Sequence, residues 1–297
     1  MVPCAPPFAA FGGASLSRRG REGGAQRRKG GGRSLGLGAL FLLAACSAAP
    51  ARTGGIVSTN PCADAILAVV APERLAAVSH YSHDPQATSM PLALARRWPA
   101  TSGTAEDVIA RHPQLVVTDS FSAPASREAY ARAGLKVLTL DIASTIPASE
   151  AQVRQLAAAA GHPQRGEALV RAIEGAIPPP VAGPRPAALL YISGDLANGG
   201  GTLLDAMMRR AGLRNAAADY GLAFTGTLPI ETIAAHPPRV ILSDGDGRTA
   251  ALRRRVLARL GVATQDRYFP RRLMNCGGPT LIPGLRRLAA VRAQAMR

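Results

Sequence analysis

The sequence predicts an α/β fold made of two lobes with mostly parallel sheets, joined by one long helix. Three observations carry that expectation. Short apolar runs alternate with stretches of helical length; one such passage recurs 125 residues later without a gap; and an Ala-rich helical stretch lies between the two copies. The 297 residues, 47% of them hydrophobic, suffice for two lobes of roughly 100–150 residues each. No apolar run reaches the ~18–20 residues needed to span a bilayer, which excludes a polytopic membrane protein.

In chain order, residues 56–58 form a first short strand, ending in Thr59-Asn60-Pro61 before a helix over 63–70. A second strand over 75–78 runs into the polar loop 80–84. Thr104 then stands before Glu106 and Asp107 as a helix N-cap with acids in the first turn, and His112-Pro113 stops that helix. A strand over 115–118, a helix over 125–133 with Gly134 as C-cap, and a strand over 136–140 complete the first half. The Ala-rich helix over 150–160 breaks at Gly161-His162-Pro163. A second helix over 165–177 stops at Pro178-Pro179-Pro180, and strand 187–192 opens the second half. The repeat aligns Glu106, Val108, Ala110 and Pro113 with Glu231, Ile233, Ala235 and Pro238, and residues 115–119 with residues 240–244. Two such lobes leave a cleft between them, and loops after the strand C-termini face the ligand crevice of open parallel sheets.

The charge of +16 first suggests a nucleic-acid binder, but it is unevenly placed. Residues 1–46 hold seven basic residues and one acid, followed within that segment by an uncharged stretch over 34–45 and then Cys46. That order describes an export signal. Leu43-Ala44-Ala45-Cys46 resembles a bacterial lipobox, in which Cys46 is acylated and becomes the first residue of a lipid-anchored chain. Beyond Cys46 there are 28 basic and 18 acidic residues, a net of +10. The basic residues there are arginine except Lys136, and none of their runs is interleaved with aromatics as a nucleic-acid groove requires. No nucleic-acid partner is expected.

From about Gly55 to the C-terminus the chain resembles the class III periplasmic substrate-binding proteins of ABC importers for ferric siderophores, haem and vitamin B12. The residues behind the resemblance are Ile56-Val57-Ser58-Thr59-Asn60-Pro61, the strand over 75–78 with Tyr81-Ser82, Gly103-Thr104-Ala105-Glu106 leading into Pro113-Gln114-Leu115-Val116-Val117, the bridging helix, and Cys276-Gly277-Gly278-Pro279. It implies an export signal over 1–46, a tether over 47–54, lobes over 55–147 and 181–297, and linking helices over 148–180. It also implies capture without catalysis: a periplasmic monomer, with no cofactor of its own, that delivers a metal chelate to an inner-membrane permease and its ATPase. A ferric siderophore or a corrinoid such as cobalamin is the expected ligand. A haem or free-metal receptor is the alternative within the fold, and an exported metalloenzyme using His80, His83 and Asp84 the alternative outside it.

Ligand-facing loops matched through the resemblance contain Asn60, Cys62, His80, Tyr81, His83, Ser102, Asp195, Asn198, Arg271 and Cys276. Phe121 and Arg248 lie in two further matched loops, 120–122 and 244–248, and with Tyr81 and Trp98 they are the expected suppliers of the aromatic faces and guanidinium donors that a bulky chelate calls for, since aromatics make up only 4% of the chain. Haem binders of the family usually offer a tyrosine near residues 101–103, and this chain has none there. B12 binders dock through one glutamate per lobe, where this chain carries Arg96-Arg97 and Arg209-Arg210; either Arg97 and Arg209 meet acidic partners on the permease, or docking uses Glu106 and Glu231 instead. With Cys4 removed and Cys46 acylated, Cys62 and Cys276 are left, one per lobe, as a disulfide in an oxidising compartment, as two thiols facing the ligand, or as unrelated buried thiols. Gly245-Asp246-Gly247-Arg248-Thr249-Ala250 with Asp266 fits the dinucleotide-binding spacing. It comes late in the chain, however, and is better read as a tight strand-to-helix turn.

Overall fold

The computed structural model describes residues 54–245, 247–259, 261 and 263–297. The segment expected to be an export signal, with Cys46, and the expected tether up to Thr53 lie outside the described residues. In the first lobe, β1 (Ile56–Ser58), α1 (Pro61–Val70), β2 (Leu75–Ser79), α2 (Leu92–Ala95), β3 (Ala100–Thr101), α3 (Ala105–Ala110), β4 (Leu115–Asp119), α4 (Pro124–Arg132) and β5 (Val137–Leu140) follow in turn. The five strands are all parallel, in the order β3-β2-β1-β4-β5. The chain then crosses over through α5 (Ile146–Ala159) and α6 (Pro163–Glu174). α5 touches α1 in the first lobe and the first helix of the second, and α6 folds back on it. Gly161, at φ +81°, takes the left-handed turn that a side chain would strain, and Pro163 starts α6 where its missing N–H costs nothing.

The second lobe holds β6 (Ala187–Ser193), β7 (Leu196–Ala197), α7 (Leu203–Arg210), β8 (Arg214–Asn215), β9 (Gly226–Thr227), α8 (Ile230–Ala234), β10 (Val240–Ser243), α9 (Gly247–Arg259), β11 (Gln265–Tyr268) and α10 (Leu281–Ala295). β11, β10, β6 and β8 run parallel, while β7 pairs antiparallel with β6 and β9, so this sheet is mixed. The order β8-β6-β10-β11 repeats β2-β1-β4-β5 of the first lobe. The helix-strand unit α3–β4 has its counterpart in α8–β10, where the 125-residue repeat places it.

Both sheets are covered on both faces, which is why their strands read as continuous apolar runs. Along β4, Leu115 and Val117 join the central core while Val116 packs with Val57, Val108 and Tyr130 on the outer face. Along β6 the alternation is the same: Ala188 and Leu190 face the central core, Leu189 and Tyr191 the outer one. The central core is continuous through both lobes, running from Ile56 and Ile66 through Val153 and Leu156 of α5 to Leu285 and Leu288 of α10. The lobes therefore share buried apolar surface and are more than tethered beads.

Candidate ligand-binding cleft

Strand C-termini from the two sheets converge on one cavity of about 850 Å³, within the range of small-molecule sites. Its first-lobe wall comes from Asn60 to Cys62 after β1, Asp119 at the end of β4 with Phe121 beyond it, residues 140–144 from the end of β5 onward, and Gln152 of α5. The second-lobe wall comes from Ile192 at the end of β6, the turn through Gly200 and Gly201, and Leu203, Leu204 and Met207 of α7, with Phe224 and Thr225 beside them. Met274 to Gly277 close it from a third side.

Local chemistry fixes these walls. The Asn60 side chain accepts hydrogen bonds from the Cys62 and Ala63 N–H groups (2.8 and 3.2 Å), which starts α1 at the cavity edge. Thr202 caps α7 by accepting from the Asp205 N–H at 3.1 Å, and its hydroxyl donates to Asn198 Oδ1 at 2.9 Å. A Cβ on Gly199 would lie 2.0 Å from the backbone of Phe224, so glycine alone lets these two segments meet. The turn at 276–278 is held by the Gly278 N–H donating to Ser149 Oγ at 2.7 Å; a side chain at Gly277 would strike Ser149.

Cys62 and Cys276 are disulfide-bonded, with a Cα–Cα distance of 5.1 Å. Beside the bond, Asn275 Nδ2 donates to the Ala87 carbonyl at 2.9 Å. The C-terminal segment is thus clipped to the first lobe at the cavity wall. Three large apolar side chains stand out into solvent along the cavity: Phe121 is 76% exposed, Ile142 69% and Phe224 80%. Unburied hydrophobic groups concentrated at a concave site mark a surface that awaits an apolar partner.

Of the residues singled out from the sequence, the structure brings Asn60, Cys62, Phe121, Asn198 and Cys276 together here. Asn198 is 1% exposed and serves mainly to bind its own turn, donating to the Gly199 carbonyl. The others lie elsewhere. Trp98 precedes β3 and so sits at the opposite end of the strands; it is buried, and its indole N–H donates to the Pro72 carbonyl at 3.2 Å. Arg97 lies over its ring at 5.7 Å. His83 Nε2 lies 3.2 Å from both the Ala95 and Trp98 carbonyls, so that nitrogen carries the proton and ties down its loop. His80 and Tyr81 stack ring to ring on the exposed turn after β2, outside the cavity lining. Ser102 binds Asp107 through its N–H and hydroxyl. Desolvation pulls the Asp107 pKa upward, but hydrogen bonds from Thr101, Ser102 and Arg111 outweigh it and hold the carboxyl below its ordinary value.

In the second lobe, Asp195 lies 3.7 Å from Arg253, whose guanidinium covers the Tyr191 ring at 3.6 Å. Arg271 is paired with Asp244, and Arg248 is exposed on the first turn of α9. Arg209 pairs with Asp205 on α7 at 3.2 Å. Sequence reasoning missed Ile142, Gln152, Met207 and Phe224. Phe224 had a signal, being an aromatic in a Gly- and Thr-rich stretch of a chain poor in aromatics. Among the described residues, no three His, Cys, Asp or Glu side chains gather as a bare metal ion would need.

A family model described as periplasmic binding protein matches residues 56–264. No curated protein matches the chain. Among solved structures, the periplasmic heme-binding protein RhuT from Roseiflexus sp. RS-1 is 24% identical with a TM-score of 0.62, over 82% of this chain and 100% of its own. The periplasmic heme-binding protein HutB of Vibrio cholerae is 18% identical with a TM-score of 0.64, over 80% and 98%. The periplasmic vitamin B12-binding protein BtuF of Vibrio cholerae is 16% identical with a TM-score of 0.62, over 82% and 97%. At these identities the likeness is one of fold.

Proposed function

The chain belongs to the periplasmic binding protein family, a family of transport receptors rather than enzymes, and on that premise we propose that it is the ligand receptor of an ABC importer for a bulky metal chelate. The observation that carries this reading is the cavity of about 850 Å³ with Phe121 and Phe224 exposed on opposite lobes. Two aromatic faces across an apolar floor suit a broad macrocycle or a wrapped ferric siderophore better than a sugar, which would need many more polar partners. A corrinoid or ferric siderophore is the first candidate. Haem is the second, supported by the RhuT and HutB likenesses and weakened by the missing tyrosine near residues 101–103.

In this reading Cys46 anchors the receptor by its lipid, and a permease with its ATPase receives the chelate. Exposed Arg97 and Arg209, one per lobe, meet acidic groups of that permease. Native mass spectrometry with ferric siderophores, cobalamin, cobinamide and haemin tests the reading. A one-to-one complex with at least one chelate is expected; tight uptake of a bare metal ion with no chelate bound contradicts it.

A further inference from the structure

We infer that the cleft selects a chelate whose rim is uncharged or cationic and discriminates against one that presents free carboxylates. The inference rests on the receptor reading above and adds to it the charge of the ligand. The cavity is lined by two carboxylates, Asp119 and Asp141, and among the described residues by no Arg, Lys or His. Its other hydrogen-bonding side chains are neutral. Asn60 spends its oxygen on the α1 cap, which leaves its NH₂ group as a neutral donor. Gln152 donates to the Asp141 carbonyl at 2.5 Å, which leaves its amide oxygen as an acceptor. Asn275 donates to Ala87 and likewise keeps its oxygen.

Arg248 is exposed on the first turn of α9, outside the cavity lining, and the guanidinium groups of three other arginines are committed elsewhere. Arg127 donates to the Ser122 carbonyl, Arg271 pairs with Asp244, and Arg253 covers Tyr191. A carboxylate carried into the cleft would shed water, meet like charge and find no cation among the lining residues to replace what it lost. Amide N–H groups or a positive rim would instead find carboxylate and amide acceptors. The net +10 of residues 47–297 steers anions only at long range and does not supply the contact.

Haemin and its dimethyl ester share one macrocycle and differ in the charge of two side groups, which isolates the effect. Equilibrium titration of the intact protein with haemin, haemin dimethyl ester and dicyanocobinamide should show the ester and the corrinoid binding at least roughly tenfold more tightly than haemin. The double variant Asp119→Asn/Asp141→Asn should narrow the ester-to-haemin ratio. Asp141→Asn alone, at an exposed position outside any helix or strand, should narrow it in part and keeps the test readable if the double variant folds poorly. Haemin binding as tightly as its ester, or a ratio that the Asn variants leave unchanged, overturns the inference and leaves the receptor reading intact. Failure of all three ligands and of ferric siderophores to bind overturns that reading, and the inference with it.

Discussion

Breaking the Cys62–Cys276 bond should lower the melting temperature substantially, because the bond closes nearly the whole folded chain. The two cysteines are 214 positions apart. Loop-closure entropy for a cross-link of that span amounts to about 5 kcal/mol at 25 °C, a ceiling that residual structure in the unfolded chain reduces. For a domain of this size each kcal/mol moves the midpoint by about 2–4 °C. A net effect of about 2.5–5 kcal/mol therefore predicts a drop of roughly 5–20 °C. The assay is scanning calorimetry of the unreduced protein beside the Cys62→Ser/Cys276→Ser double variant, with peptide mapping of the unreduced chain. A linked peptide pair containing Cys62 and Cys276, together with that drop, is expected. Alkylation of both thiols without prior reduction would show that the bond is absent, and midpoints within about 2 °C of each other would show that it does not stabilise the fold.

Two further perturbations separate stability from binding. Asp64 is fully buried on α1, accepting from the Ser79 N–H and the Ser82 hydroxyl through Oδ2 while Oδ1 has no partner. Burial pushes its pKa from 3.8 up to about 7, against the hydrogen bonds that lower it. The folded chain thus holds a proton that the unfolded chain releases near pH 4. Its stabilising contribution is complete below about pH 4 and is lost as pH rises toward 7, by at most about 4 kcal/mol. Urea midpoints for Asp64→Asn should lose this slope between pH 4 and 7, and an identical slope in both proteins would count against the buried proton. Phe121→Ala and Phe224→Ala should each weaken chelate binding by about 1–2 kcal/mol, five- to thirtyfold, with little change in melting temperature because both rings are exposed without ligand. Unchanged affinity in both variants would place the ligand elsewhere.

The lobes were legible because duplicated α/β units leave periodic signals that need no tertiary information. Residues 115–119 and 240–244 both read as buried strands, and both became central strands with matching neighbours. The Thr104 cap was equally plain, since its hydroxyl, the first-turn acids and the following apolar residues are all local in sequence; the hydroxyl accepts from the Asp107 N–H at 3.3 Å. What stayed hidden was non-local. β7 and β9 are two residues each, too short for alternation to register, so the antiparallel part of the second sheet had no signal. Trp98 shows the same limit at the site. A loop aromatic was a fair ligand contact, but whether a loop precedes or follows its strand decides which end it occupies, and the two-residue β3 concealed that.

The charge reading changed in a similar way. Composition showed a basic chain suited to attracting anions, yet the cavity itself gathers Asp119 and Asp141 from loops 22 positions apart. Only the parallel pairing of β4 with β5 brings those two loops side by side. The disulfide lay between these cases: its partners could be enumerated from the sequence, but their proximity depends on the C-terminal segment packing against α1.

A crystal structure of the protein bound to whichever chelate mass spectrometry identifies locates the ligand directly. Electron density for the chelate is expected in the cavity bounded by β1, β4, β5 and α7, in contact with Phe121 and Phe224 and beside the Cys62–Cys276 bond. Density over the His80–Tyr81 turn, or against Trp98 at the other end of the strands, would contradict it.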